Sequence, residues 1–440
     1  MTGAIIASVA SIIAVTCGAG NVLSLAAIKL GAGELFLGVF NFLSITPFIL
    51  ALCTMSAIEK IGKIKVLTLW YWVSAILLMP ILILPWAANI WPAWGCLLLL
   101  AATNAFRNGA IALGSTGWFP LLQDIVPSRY TGRFFARLRT SWQTASLIAL
   151  ITAAFVLGKD PSWIRFEILF VIAVIAEAAK AWPVHYMVEK PLPQDPPPMT
   201  IRDRVAEYYA DPAMRHYSLY ILFYFVASTA MEPFKIKLLN DLGYGYGFIL
   251  ASTAMVGFGA VVSLRFWGSI ADKFGNRSIF GMTHIGMMLA TAGWIFVWPN
   301  SKLGMIYVMT LYFLWSAFNC GNTLAQTNYM LRAVSTEKQN FLTFILLIQR
   351  MATAVAPLLA GLVLDLAGRF KIRFWTISSI TMYDILFAAS VMLFLLPHTM
   401  RRKLKAPTDT PTSQVINHIT KPMLMSMAYL TRPIRSRLWE

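Results

Sequence analysis

Residues Trp267 to Arg277 read W-G-S-I-A-D-K-F-G-N-R and lie between two long apolar runs. Met55 to Lys65 reads M-S-A-I-E-K-I-G-K-I-K. Placing Asp272 on Glu59, an offset of 213 residues, also places Lys273 on Lys60 and Gly275 on Gly62. Each half of the chain thus carries one polar hairpin with an acid, a lysine and a glycine. A reversal between two helices needs a residue that tolerates positive φ, which Gly62 and Gly275 supply. The acids suit helix N-termini or nearby arginines.

A second echo has nearly the same offset. A-F-R-N-G at Ala105 to Gly109 matches A-F-N-C-G at Ala317 to Gly321, 212 residues on. Two motifs at one offset point to duplication of a larger unit.

Composition says what that unit is. Of 440 residues, 58% are hydrophobic and 12% charged. Continuous apolar runs of roughly 18 residues or more mark bilayer-spanning helices. Lipid leaves backbone groups no partner, so spanning segments are helices or closed barrels, and unbroken runs select helices. The runs predict twelve helices near 3–28, 34–56, 66–85, 93–115, 140–158, 165–188, 217–238, 247–268, 279–298, 303–328, 342–366 and 374–396. The expected class is an all-α membrane protein of two pseudo-symmetric six-helix bundles.

The net charge of +17 fits basic residues kept in cytoplasmic loops better than nucleic-acid binding. Lys60, Lys63 and Lys65, then Arg129, Arg133, Arg137 and Arg139, then Arg202, Arg204 and Arg215 fall on one side. Both termini are then cytoplasmic. Pro85 to Pro92 is uncharged and holds Trp86 and Trp91, as an outer interface would. The start lacks a basic n-region and reads as a spanning helix, not a cleaved signal. Cys17, Cys53, Cys96 and Cys320 stand singly, without disulfide or zinc spacing.

One boundary stands out. Glu189 to Arg215 opens with E-K-P-L-P-Q-D-P-P-P, which cannot be helical. Residues 201–209 then read as a short amphipathic surface helix. The expected units are a bundle over 1–188, a cytoplasmic linker over 189–216, a second bundle over 217–396 and a basic tail over 397–440. The tail is disordered, lies on an anionic membrane surface, or meets a protein partner.

The hairpins resemble the signature loop of the major facilitator superfamily (MFS) of secondary transporters, roughly G-x-L-x-D-x-x-G-R-K. Gly268 to Arg277 matches it well; in the first copy Met55 replaces the leading glycine and Glu59 the aspartate. The resemblance covers Gly3 to about Pro397. It implies a substrate site at midplane between the two six-helix halves. It also implies that Asp272 and Glu59 latch the cytoplasmic face in one state. Gly62, Gly275 and Arg277 belong to the same gating set, with Arg133, Arg139 and Arg350 as expected partners. The other reading of each hairpin is an ordinary polar turn.

Trp118 to Arg139 reads as an unusually long loop between the fourth and fifth helices. W-x-x-L-x-x-D-x-V-P with G-R-F-x-x-R is similar to a bacterial subset of the family. Some members of that subset reside in specialised intracellular membranes, magnetosomes included. A basic loop on lipid phosphates is the alternative.

Polar residues inside the helices give the candidate site. Asn104, Arg107 or Asn108, Ile111 and Ser115 share one helical face, as do Trp315, Asn319, Asn322 and Gln326. Amides and a guanidinium in hydrocarbon face a cavity or glue helices together. The resemblance assigns the fourth and tenth helices to the cavity, so Asn104, Arg107, Asn108, Asn319, Asn322 and Gln326 are the expected substrate residues. With Arg107 among them, the expected solute carries negative or hydrogen-bonding groups. Glu232 before Pro233, Asp384, and Glu177 with Lys180 three residues on are candidate proton-coupling carboxylates. Each also has a structural reading as a paired or hydrogen-bonded group. His284 reads as a packed histidine.

No phosphate-cradling loop, metal-ligand spacing or nucleophile motif occurs. No cofactor, resident metal or enzymatic activity is expected. The expectation is a secondary transporter of a small molecule or ion, proton-coupled, in a bacterial inner or derived intracellular membrane. Its substrate alternatives include iron or an iron chelate. The alternative class is a non-transporting scaffold on the same body.

Overall fold

The computed structural model describes residues 2–54, 61–126, 131–189, 201–274, 276–333, 340–369 and 382–404. Among these the chain is helical throughout. Eleven stretches are long and apolar enough to cross a membrane. The expected sixth span is also present, but interrupted: α9 covers Trp163–Ala179 and α10 covers Ala181–His185.

Proline explains that break and others. Pro183 has no N–H to give the Ala179 carbonyl, and α9 ends there. In the seventh span α12, Pro212–Thr229, ends at the carbonyl Pro233 would have served, and α13, Glu232–Asp241, starts afresh. In the twelfth, α18, Met382–Leu393, ends four residues before Pro397, which lies in α19, Leu395–Met400. Pro47 likewise follows the end of α3, Glu34–Ile45, and the chain tightens to a 3-10 turn over Thr46–Thr54.

The first span breaks without proline. α1, Thr2–Gly18, gives way at Ala19 to α2, Gly20–Lys29, and Gly20 takes φ +51°, which a side chain would disfavour. One continuous helix over 3–28 was the expectation, so the break is a correction. The third span is α4, Lys63–Leu78, with a short α5, Leu84–Ala87; the fourth is α6, Ala93–Ser115, as expected.

The expected loop after α6 is instead largely helical. α7 covers Trp118–Ile125 and α8 covers Thr131–Leu157. Leu121 and Leu122 of α7 are buried, so its apolar side packs against the first bundle. α11, Ile201–Ala210, is the expected short helix. It docks on the second bundle through buried Tyr208, whose hydroxyl lies 2.6 Å from Ser218 Oγ.

The second half continues with α14, Tyr246–Phe274, α15, Asn276–Gly293, α16, Lys302–Ala333, and α17, Asn340–Arg369. Lipid-facing positions are apolar, with Phe155 91% exposed. Trp86, Trp91 and Trp94 are exposed around the turn expected at an outer interface.

Apolar surface is no reason for helices to associate in lipid, so close packing must do it. Two crossings join the halves at the end holding the start of α3. A Cβ on Gly38 of α3 would sit 2.7 Å from the Pro357 carbonyl of α17, and one on Gly361 would sit 2.8 Å from the Glu34 carbonyl. Nearby the Gly247 N–H of α14 donates to the Gly158 carbonyl after α8, at 2.5 Å.

Candidate functional site

Between the halves lies a cavity of about 430 Å³. Its first-half wall carries polar side chains among apolar ones: Asn21 and Ser24 from α2, Asn41 and Ser44 from α3, and Asn104 and Asn108 from α6. Asn108 Nδ2 donates to Asn104 Oδ1 at 3.1 Å, and Asn104 Nδ2 donates to Ser44 Oγ at 2.5 Å. Ser44 in turn donates to the Phe40 carbonyl at 2.6 Å. The relay fixes Asn104 and leaves Asn108 at the edge of the space. Asn41 Oδ1 is buried without a partner.

The second-half wall carries Glu232, Thr253 and Tyr312, from α13, α14 and α16. Glu232 heads α13 because the Pro233 break places it there. Its Oε1 accepts from Lys235 Nζ at 2.6 Å. The Lys235 side chain is 3% exposed and that of Glu232 39%. Behind the carboxylate the Lys235 ammonium sits 4.8 Å from the Trp315 ring centre, 5.4 Å from Trp294 and 6.0 Å from Tyr312. Stacking over ring faces offsets part of the cost of burying an ammonium.

A second cavity, about 480 Å³, shares Leu150, Thr253 and Val256 with the first. It follows α8, α14 and α16 to Arg139 and Thr327. The opposite end is closed by contacts between the halves. Tyr383 of α18 donates to Glu34 Oε1 at 2.8 Å and lies 3.3 Å from Asp241 Oδ2, which Lys237 also holds. The two cavities thus adjoin, the second extending toward Arg139, while the Glu34–Tyr383 contact joins the halves at the other end.

Arg107 lines neither cavity. It is 1% exposed and donates through Nη2 to Glu177 Oε2 at 2.7 Å. Glu177 also takes Lys180 Nζ and, at 2.6 Å, the Ser74 hydroxyl. Lys180 lies over the Tyr71 ring at 4.5 Å. The expected cationic cavity residue is therefore in an ion triad among α4, α6 and α9. The reason is geometric: Asn104 and Asn108 are one turn apart, and Arg107 points to the flank that meets α9.

The tenth-span stripe divides in the same way. Asn319 lines the second cavity and accepts from the Tyr224 hydroxyl at 2.5 Å. Asn322 is fully buried and accepts from the Tyr220 hydroxyl at 3.0 Å. Tyr220 also bonds His284 Nε2 at 3.0 Å. Gln326 is buried, with its backbone carbonyl taking the Tyr217 hydroxyl. Asn322 and Gln326 therefore sit off both cavity walls, inside the second bundle. Asp384 is half-buried in the first turn of α18.

Of the gating set, Glu59 and Gly275 fall outside the described residues, as do the side chains of Arg133, Asp272 and Arg277. Gly62 takes φ +100° at the N-cap of α4. Glu189 Oε2 accepts the Ile64 N–H at 3.0 Å, and Lys63 pairs with Asp124 of α7 at 2.5 Å. Arg139 is exposed on the second cavity, and Arg350 of α17 covers the Phe48 ring at 4.6 Å.

Sequence reasoning missed Asn21, Ser24, Asn41, Ser44 and Lys235. The asparagines carried a usable signal, since lone amides in apolar spans seldom face lipid. The aromatic enclosure of Lys235 draws on three helices and leaves no local pattern.

A family model for the Major Facilitator Superfamily matches residues 3–351. The chain belongs to that superfamily, and its twelve-helix architecture is the one described above. Solved structures agree in fold. A point mutant of the nucleoside transporter NupG superposes with a TM-score of 0.69 at 12% identity, covering 92% of this chain and 99% of that one. A bacterial homologue of the iron transporter ferroportin in an inward-facing state gives 0.68 at 11%, covering 92% and 97%. A D-xylose–proton symporter gives 0.67 at 13%, covering 93% and 97%. No curated protein sequence matches the chain.

Proposed function

We propose that the chain is a secondary active transporter that carries a small solute by alternating access. The observation that supports this most is the pair of adjoining cavities. A cavity with both polar and apolar walls sits between two halves, with the Glu34–Tyr383 contact at one end and a second cavity toward Arg139 at the other. Rocking of the halves about this site would expose it to each side in turn. In this reading the second cavity opens to the cytoplasm, where both termini lie, and the membrane is a bacterial inner or derived one. Asp272 and Glu59 are the proposed latch partners for the opposite state.

Among the candidate carboxylates, Glu232 is proposed to carry the coupling proton. It lines the cavity and has one cationic partner, Lys235, whereas Glu177 is fully buried off the cavity between Arg107 and Lys180. The solute is proposed to bind Asn104, Asn108 and Glu232. The names of the structural neighbours span a nucleoside, an iron and a sugar transporter and select none of these here.

Flux into proteoliposomes under an imposed pH gradient tests the reading. Uphill accumulation in wild type, lost in Glu232→Gln, is the expected result. Uphill accumulation by Glu232→Gln at the wild-type rate would remove the coupling role.

A further inference from the structure

The substrate class can be read from the charge on the cavity wall. Glu232 is the one ionised group lining the central space among the described residues. Its Oε1 is bound to Lys235, and no hydrogen bond to Oε2 forms among the described residues. The facing wall includes Asn41, whose Oδ1 is buried without a partner. The break in the first span brings the end of α1 and the start of α2 to this wall together. Their opposed helix-dipole charges offset one another and supply no net anion site. An anion in this space would meet the Glu232 carboxylate, whose partner Lys235 lies behind it and off the cavity wall.

Lys235 shows what the carboxylate can hold. It is a primary ammonium on a flexible stem, already seated on Glu232. Its position differs from an ordinary buried pair in one respect: three rings hold the ammonium from behind, independently of the carboxylate. Glu232 can therefore turn to a second cation without leaving Lys235 stranded in an apolar site, the usual penalty for breaking such a pair. The rest of the cavity wall includes Leu37, Phe40, Ile45, Leu150, Ile236 and Val256. That surface suits an apolar body behind a charged head. A divalent metal ion instead needs about six oxygens closing around it; this wall supplies a single carboxylate, already paired with Lys235, and its Asn104 and Ser44 oxygens are engaged in the relay.

Resting on the transport reading above, we propose that the solute is a small amphipathic organic cation with N–H donors, and that it displaces Lys235 from Glu232. Lys235 is a tethered stand-in for the substrate. It neutralises Glu232 while the carrier is empty and retreats onto Trp315, Trp294 and Tyr312 when an amine arrives.

The test uses purified full-length protein and four probes: phenethylamine, the neutral 2-phenylethanol, the anionic phenylacetate, and Mn²⁺. Calorimetry should show binding of phenethylamine and markedly weaker binding of the other three. Glu232→Gln should weaken amine binding by roughly tenfold or more, since it removes the charged partner. That variant leaves Lys235 unpaired, so Glu232→Gln with Lys235→Met is the folded control and should bind no amine. Lys235→Met alone should bind phenethylamine several-fold more tightly than wild type, because the internal competitor is gone. A purely structural ion pair predicts the reverse. No phenethylamine binding, equal binding of the alcohol or the acid, preference for Mn²⁺, or an unchanged or weakened Lys235→Met variant would each overturn the proposal. Proteoliposome flux separates this from the transport reading. Flux of a neutral or anionic solute without amine binding removes the cation and keeps the carrier. Amine binding with the Lys235→Met gain, but without flux of any probe, keeps the cation site and removes the carrier.

Discussion

The Tyr383 hydroxyl of the last span donates to Glu34 Oε1 at the start of the second, 349 residues earlier, over 2.8 Å. This bond joins the two halves at the closed end. A hydrogen bond to a charged acceptor contributes about 1.5–3 kcal/mol, enough to shift a two-state equilibrium at least tenfold. Tyr383→Phe should therefore favour opening at that end. A single reactive cysteine placed at Thr253, on the cavity wall, should then react faster with an impermeant thiol reagent added from the Glu34 side. An unchanged rate would mean the bond does not hold the closure.

Arg107 belongs to a buried triad and not to the solute path, so its loss should be felt as stability. Removing one partner of a buried ion network costs about 3–5 kcal/mol. Arg107→Ala and Glu177→Gln should each lower the unfolding temperature in detergent by several degrees. In the Arg107→Ala protein that still folds, solute affinity should stay within about twofold of wild type. A large affinity loss with unchanged unfolding temperature would return Arg107 to the binding site.

Gly62 holds φ +100° beside Glu189, and a Cβ there would lie 2.6 Å from Glu189 Oε1. Left-handed backbone costs a non-glycine residue about 1–2 kcal/mol before any clash. Gly268 is a helical glycine with open space around its missing Cβ. Gly62→Ala should destabilise, whereas Gly268→Ala should be neutral or stabilise by up to about 1 kcal/mol. Parallel thermal unfolding of the two variants decides the matter; equal effects would show that the turn tolerates a side chain.

Asp272→Asn addresses the proposed latch. Flux should fall strongly while membrane insertion and unfolding temperature are kept. Wild-type flux would leave Asp272 as an ordinary polar residue at the end of α14.

The number and placement of the spans were legible because a bilayer imposes one length and one polarity on each of them. α6 begins and ends where its apolar run does. The proline breaks at Thr229 and Leu393 were readable in principle from the lost i−4 bond. The helix α7 was not, because Trp118 to Ile125 mixes apolar residues with Pro120 and Asp124 and is set by packing on the first bundle. The candidate site was half legible. Asn104 and Asn108 line the cavity as their spacing suggested, yet Arg107, between them, turns to Glu177. Periodicity places a residue on a flank of the helix; which flank meets a cavity and which meets a carboxylate depends on neighbours distant in sequence.

At the crossing of Gly38 and Gly361 main chain lies against main chain, with the Phe234 ring as the nearest side chain. Interlocked side chains must repack whenever helices slide. At these two positions main chain meets main chain, so the contact itself can part and re-form without a rotamer change. The crossing then behaves as a bearing, with little resistance of its own to rotation. How firmly that end stays shut then depends also on the polar contacts around it, so in the proposed alternating-access cycle the rate is open to adjustment by changing Glu34 or Tyr383 without disturbing the packed body of either half.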